Sequence, residues 1–69
     1  METLHIQNSM IRLGQALKLA NLVEDGVEAR QLISEGNVSV NGQLETQRGK
    51  QLHIGDIISL DGIEVKITH

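Results

Sequence analysis

The chain has no cysteine, no proline and no phenylalanine, tyrosine or tryptophan among its 69 residues. Without cysteine there is no disulfide framework and no thiolate zinc site to support a small fold. Without aromatics the core must be built from Leu, Ile, Val and Ala. The stacking platforms on which many single-strand nucleic-acid binders rely are also excluded. Cationic charge is scarce: 6 Lys+Arg against 9 Asp+Glu leave a formal net charge of −3, with a pI near 5.4. A module that binds a polyanion usually carries a basic footprint, so here any such contact must come from a local patch. A local patch can act, because charges beyond about 8 Å are largely screened at physiological salt. Long apolar runs are missing too, and no stretch approaches the ~18 residues of a membrane span. The opening Met1-Glu2-Thr3-Leu4-His5 lacks the basic region and apolar run of a signal peptide. The expectation is a cytoplasmic protein folding as one domain over residues 1–69, with no membrane contact and a monomer by default. Its stability should lie at the low end of about 5–15 kcal/mol.

What the chain does have is clear local patterning. Leu13, Ala16, Leu17 and Ala20 recur at helical spacing and predict a helix from Leu13 to about Leu22, with Lys18 on its wet face. Gly14 would weaken that helix by up to about 1 kcal/mol relative to alanine, and close helix packing is the structural reading of it. Asp25, followed three residues later by Glu28, has the pattern of a capping box. It opens a second helix whose apolar stripe is Ala29, Leu32 and Ile33 and whose exit is Gly36. A short strand follows, with Val38 and Val40 on one face, and then a tight Asn41-Gly42 turn. Leu17, Leu32, Ile33, Val38 and Val40 should therefore be buried together.

The remaining strands are read in the same way. Leu4 and Ile6 alternate with polar residues, as in an edge strand. Gln43 to Gln51 is polar apart from Leu44 and reads as a loop. Leu52 and Ile54 form a short strand that stops at Gly55-Asp56. Ile57–Leu60 and the alternating Ile63, Val65 and Ile67 form a terminal hairpin over 57–67, turning at Asp61-Gly62.

Chemistry for catalysis is not apparent. Ser9, Ser34, Ser39 and Ser59 have no partnered histidine at a recognisable spacing. His5, His53 and His69 are far apart and form no metal-ligand pair. No catalytic residue, metal site or cofactor is expected. The residues suited to a polyanion are Arg30, in the first turns of the second helix, and Arg48-Gly49-Lys50 at a loop tip. Lys18 stands on the first helix. Long cations adjust to phosphate, and a glycine lets backbone approach backbone. Gln47 could hydrogen-bond a base edge or a 2′-hydroxyl. Asn41 shapes its turn first, and any ligand contact from it is secondary. Each of these has a bland alternative: Arg30 as an ion pair with Asp25, Glu28 or Glu35, and the others as solvated charges.

The ordered set Arg12-Leu13, Leu17-Lys18, Ala29-Arg30, Leu32-Ile33, Gly36, Val38, Val40-Asn41-Gly42 and Gly55-Asp56 resembles the RNA-binding domain named after small-subunit ribosomal protein S-four, the αL motif. The resemblance covers residues from about 12 to 56. Leu13-Gly14-Gln15-Ala16-Leu17-Lys18-Leu19 looks most like the short free-standing bacterial members, of the YbcJ/YaaA type. It implies an α+β fold in which two short helices pack on a small, mostly antiparallel sheet. It also implies a non-catalytic RNA-binding function, with the second helix and the loop after Val-Asn-Gly meeting structured RNA, whether ribosomal, a ribosomal precursor or tRNA. The ribosome or a larger protein would then be a possible partner. Relatives tend to carry a denser basic run in that loop, where this chain has Gln47 and Gln51. A protein-interaction adaptor on the same fold is the rival expectation.

Overall fold

The computed structural model describes all 69 residues. In chain order its elements are β1 (Glu2–His5), β2 (Met10–Arg12), α1 (Leu13–Leu19), α2 (Gly26–Ser34), β3 (Val38–Val40), β4 (Gln43–Leu44), β5 (Gln51–His53), β6 (Ile57–Leu60) and β7 (Ile63–Thr68). Five strands form one sheet in the order β1-β7-β6-β3-β4, and β2 pairs with β5 in a separate small ladder. Only the β1–β7 pairing is parallel, with Leu4 opposite Ile67; β7–β6, β6–β3 and β3–β4 are antiparallel. The fold is therefore α+β, two short helices on a mostly antiparallel sheet.

Helix α2 begins as its sequence predicts. The Glu28 N–H donates to Asp25 Oδ1 at 2.9 Å, and Glu28 Oε1 in return accepts from the Glu24 N–H at 2.7 Å. Its end is equally local. Gly36 adopts φ +83°, the Asn37 N–H reaches the Leu32 carbonyl and the Gly36 N–H the Ile33 carbonyl. This is the two-bond Schellman closure.

Helix α1 ends three residues earlier than the apolar spacing suggests. Asn21 takes φ 59°, the Leu22 N–H bonds back to the Leu17 carbonyl and the Asn21 N–H to the Lys18 carbonyl. An asparagine can do what glycine does at a helix exit, so the helix stops, and Leu22 packs partly buried against the core.

Sixteen buried apolar residues make one core, with Leu13, Ala16, Leu17, Ala29 and Ile33 from the helices and Val38, Ile58, Val65 and Ile67 from the sheet. Leu32, expected at its centre, is only partly buried and packs on the rim. The strand expected through Leu52 and Ile54 stops at His53. Leu52 is fully buried, whereas Ile54 is 44% exposed at the following turn. The polar stretch after Asn41-Gly42 is not all loop, because Gln43–Leu44 pairs with β3. Asn41 (φ 52°) and Gly42 (φ 82°), like Asp61 (φ 51°) and Gly62 (φ 81°), have positive φ at both central positions, as hairpin turns of this hand require.

Candidate functional site

Strand β2 sets Arg12 directly before α1, in the N-cap position, where its side chain makes no capping bond. The first turn of α1 is satisfied from elsewhere. The Leu13 N–H donates to the Lys50 carbonyl at 2.9 Å and the Gly14 N–H to the Arg48 carbonyl at 3.0 Å. Arg12 completes the tie, its Nη1 donating to the Gly49 carbonyl at 2.8 Å. The segment Arg48-Gly49-Lys50, which sequence alone suggests is a free loop tip, is thus strapped across the start of α1.

Gly14 has a specific part in this arrangement. A Cβ built there would lie 2.6 Å from Arg48 Cγ and 3.2 Å from its Cδ. The aliphatic stem of Arg48 therefore lies where a side chain at position 14 would stand. The close approach at Gly14 is thus to the loop residue Arg48 and not to another helix. That stem fixes the starting point from which the guanidinium projects.

The result is an open cleft of about 450 Å³ lined by Arg12, Gly14, Gln15, Lys18, Gly26, Arg48 and Gly49. Half of the chain's six Lys+Arg line it and no carboxylate does. Lys18 lies one helical turn on from Gly14, so both face the same way. Gly26 brings in the start of α2, and Arg30 stands one turn further along that helix on the same face. The carboxylates that could have neutralised Arg30 are otherwise engaged. Asp25 and Glu28 cap α2, and Glu35 accepts from Gln31 and Asn37.

A second cleft of about 300 Å³ is lined by Val40, Asn41, Gln43, Glu45, Lys50, Gln51, His53 and Asp56. One wall is tightly organised. Asn41 Nδ2 donates to Asp56 Oδ1 at 3.0 Å, Asn41 Oδ1 accepts from the Ile57 N–H at 2.9 Å, and Asp56 Oδ2 accepts from the His53 N–H at 2.8 Å. Burial alone would push the Asp56 carboxyl up. The His53 N–H and the Asn41 amide, helped by positive charge at His53 and Lys50, outweigh it and hold the carboxyl below the ordinary value.

The structure thus divides the residues singled out from sequence. Lys18, Arg48 and Gly49 come together in the first cleft, and Asn41 and Lys50 line the second. Arg30 lines neither, and neither does Gln47, whose backbone N–H donates to Glu45 Oε2 at 3.1 Å. Sequence reasoning did not single out Arg12, Gln43, Gln51 or His53 as site residues. For Arg12 a signal existed: an arginine at an N-cap cannot accept a backbone N–H, so something distant had to cap α1. No three His, Asp or Glu side chains are grouped closely enough to hold a metal ion, and no helix is long and apolar enough to cross a membrane.

Comparison with known proteins places this geometry in context. The chain is 40% identical over 57 residues to a probable ribosome maturation protein of Bacillus subtilis, RlbA, covering 83% of this chain and 80% of that one. It is 33% identical over 58 residues to YbcJ of Escherichia coli, covering 84% and 83%. The solution structure of YbcJ, described as revealing an αL motif involved in RNA binding, superposes with a TM-score of 0.76 at 30% identity, over 100% of this chain and 89% of that one. The ribosomal protein S4e of Thermoplasma acidophilum shares the fold, with a TM-score of 0.63 at 19% identity over 84% of this chain and 31% of that one. The S4 domain profile matches residues 4–68. The chain belongs to the S4 domain family.

Proposed function

We propose that this protein binds structured RNA without catalysis, in the cytoplasm, seating backbone phosphates in the cleft of Arg12, Lys18 and Arg48. The single observation that carries the reading is the concentration of charge. A chain of net charge −3 gathers three of its six cations in one cleft whose lining holds no carboxylate. Three of the seven lining residues are glycines, so a sugar-phosphate backbone can come close. Arg30 continues the basic face one turn along α2, and Lys50, at the end of the strap, lines the second cleft. The names of the relatives fit this reading, one being a probable ribosome maturation protein and the other having a motif involved in RNA binding. Ribosomal RNA, or a precursor of a ribosomal subunit, is therefore the RNA to try first. The rival reading, a protein-interaction adaptor, draws on the overall acidity.

The two are separated by salt. Three phosphate contacts give a slope of about −2 in log K against log[salt], taking roughly −0.7 per contact for single strands. That amounts to a fall of roughly tenfold to twentyfold between 50 and 200 mM salt. Replacing Lys18 and Arg48 together by Glu should flatten the slope toward about −0.7. Lys66, exposed on β7 and outside both clefts, is the control. Fluorescence anisotropy with a ribosomal RNA fragment reads both. Equal losses from Lys66→Glu and from the pair would reduce the effect to net charge and sink the assignment of the cleft.

A further inference from the structure

The second cleft contains polar groups for which the fold has no use. Of its lining, Asn41 and Asp56 are consumed by the clamp on Ile57 and His53, and Glu45 accepts the Gln47 N–H. The side chains of Gln43, Lys50, Gln51 and His53 are exposed, line the same cleft and have no hydrogen-bond partner within the protein. Its charge also differs from that of the first cleft. One lysine faces two carboxylates, Glu45 and Asp56, so the site does not attract phosphate as its neighbour does. A neutral ligand rich in donors and acceptors suits it better.

The two clefts adjoin at the β2–β5 ladder. Arg12, which lines the first, stands directly opposite Gln51, which lines the second, in the β2–β5 ladder. Paired residues of such a ladder are about 4.5–5.5 Å apart. Directly paired residues of an antiparallel ladder project from the same face, so one nucleotide can place its phosphate at Arg12 and its base edge at Gln51. With no aromatic residue in the chain, such a base would be recognised by its edge and not by stacking. A glutamine amide matches adenine N6 and N7, and a lysine reaches guanine O6 and N7. These edges are presented by bases outside a helix.

Building on the RNA reading above, we infer that the cleft of Gln43, Lys50, Gln51 and His53 recognises the base of an unpaired purine nucleotide whose phosphate is held by Arg12, Lys18 and Arg48. The rigid Asn41–Asp56 wall keeps the site in shape before the base arrives. Phosphate contacts position an RNA and base contacts specify it, so the two clefts divide the work between affinity and sequence preference.

The test uses four RNA hairpins that differ only in one unpaired loop nucleotide, with binding followed across a salt series. Adenine and guanine should be preferred over cytosine and uracil by about fivefold or more. Gln51→Ala and Gln43→Ala, both at exposed positions, should erase the preference and leave the salt slope unchanged. Lys18→Glu with Arg48→Glu should flatten the slope and leave the preference in place. Equal binding of all four hairpins on an intact slope overturns the base site while the RNA reading stands. Absence of salt-dependent binding to any RNA overturns both. A second measurement avoids phosphate altogether. Adenosine or guanosine should shift the side-chain amide NMR signals of Gln43 and Gln51 in the 69-residue protein. No shift at either residue would overturn the inference.

Discussion

The two helices of this protein begin in opposite ways. Helix α2 carries its own cap, since Asp25, Glu28 and the Glu24 N–H close the box within five consecutive residues. Helix α1 has none, and its first N–H groups are answered by the carbonyls of Arg48 and Lys50, far along the chain. One start is written in the local sequence and the other is a tertiary event. The difference bears on function, because the strap that caps α1 also carries Arg48 into the cationic cleft. Building the helix and building the site are the same act. At α2 the cap makes no use of the cleft's cations.

The hardest way to break this contrast is through the root of the strap. Leu52 is fully buried on β5, opposite Ile11 on β2. Leu52→Ala should cost about 2–5 kcal/mol. It should also selectively lower hydrogen-exchange protection at Leu13 and Gly14, with salt-dependent RNA binding falling in parallel. If α1 kept its protection relative to α2, its start would not depend on the strap and the contrast would fail.

A smaller effect isolates the other helix. Asp25→Ala removes the acceptor for the Glu28 N–H and should lower stability by about 1 kcal/mol in a urea titration. The salt slope of RNA binding should not move. A slope that flattened with Asp25→Ala would mean that the capping carboxylates and the cleft are electrostatically one site.

The smallest stability change carries the sharpest information. Gly14→Ala gains about 0.5–1 kcal/mol of helix propensity, but its Cβ would meet Arg48 Cγ at 2.6 Å. The Arg48 stem must move to another rotamer, so net stability should shift by less than about 1 kcal/mol. RNA affinity should fall to near that of Arg48→Ala. In an Arg48→Ala background the same Gly14→Ala change should stabilise the fold and leave binding untouched. Additive effects on affinity in this double-mutant cycle would show that Gly14 and Arg48 act independently.

These contrasts also explain what could be read from sequence. The capping box, the Gly36 exit and the two hairpins at Asn41-Gly42 and Asp61-Gly62 are signalled within a few residues, and each stands where its residues indicate. Strand β2 is not signalled, because three residues, Met10–Arg12, cannot display an alternation and their partner is β5. The overrun of α1 to Leu22 has the same kind of cause: apolar spacing continues through the cap, and only the left-handed Asn21 ends the helix. Leu52 and Ile54 look equivalent by alternation, but the strand stops between them. The cations of the cleft follow this division. Lys18 and Arg48 could be picked out as candidates by residue type. Their meeting with Arg12 depends on the strap, and so does the sorting of Lys50 and Asn41 into a separate cleft.

The parallel ladder between β1 and β7 joins residues near the two ends of the described chain. Glu2 to His5 pair with Val65 to Thr68, so β1 finds its partner only once the residues of β7 have been made. Forming that ladder closes the loop from Glu2 to Val65, and such non-local pairings carry a high entropic cost and slow folding. Leu4 on β1 and Ile6 just after it are buried in the core only when that ladder is in place. The β3–β6 ladder, Val38 to Leu60, closes a much shorter loop, so its entropic cost is lower than that of the β1–β7 ladder.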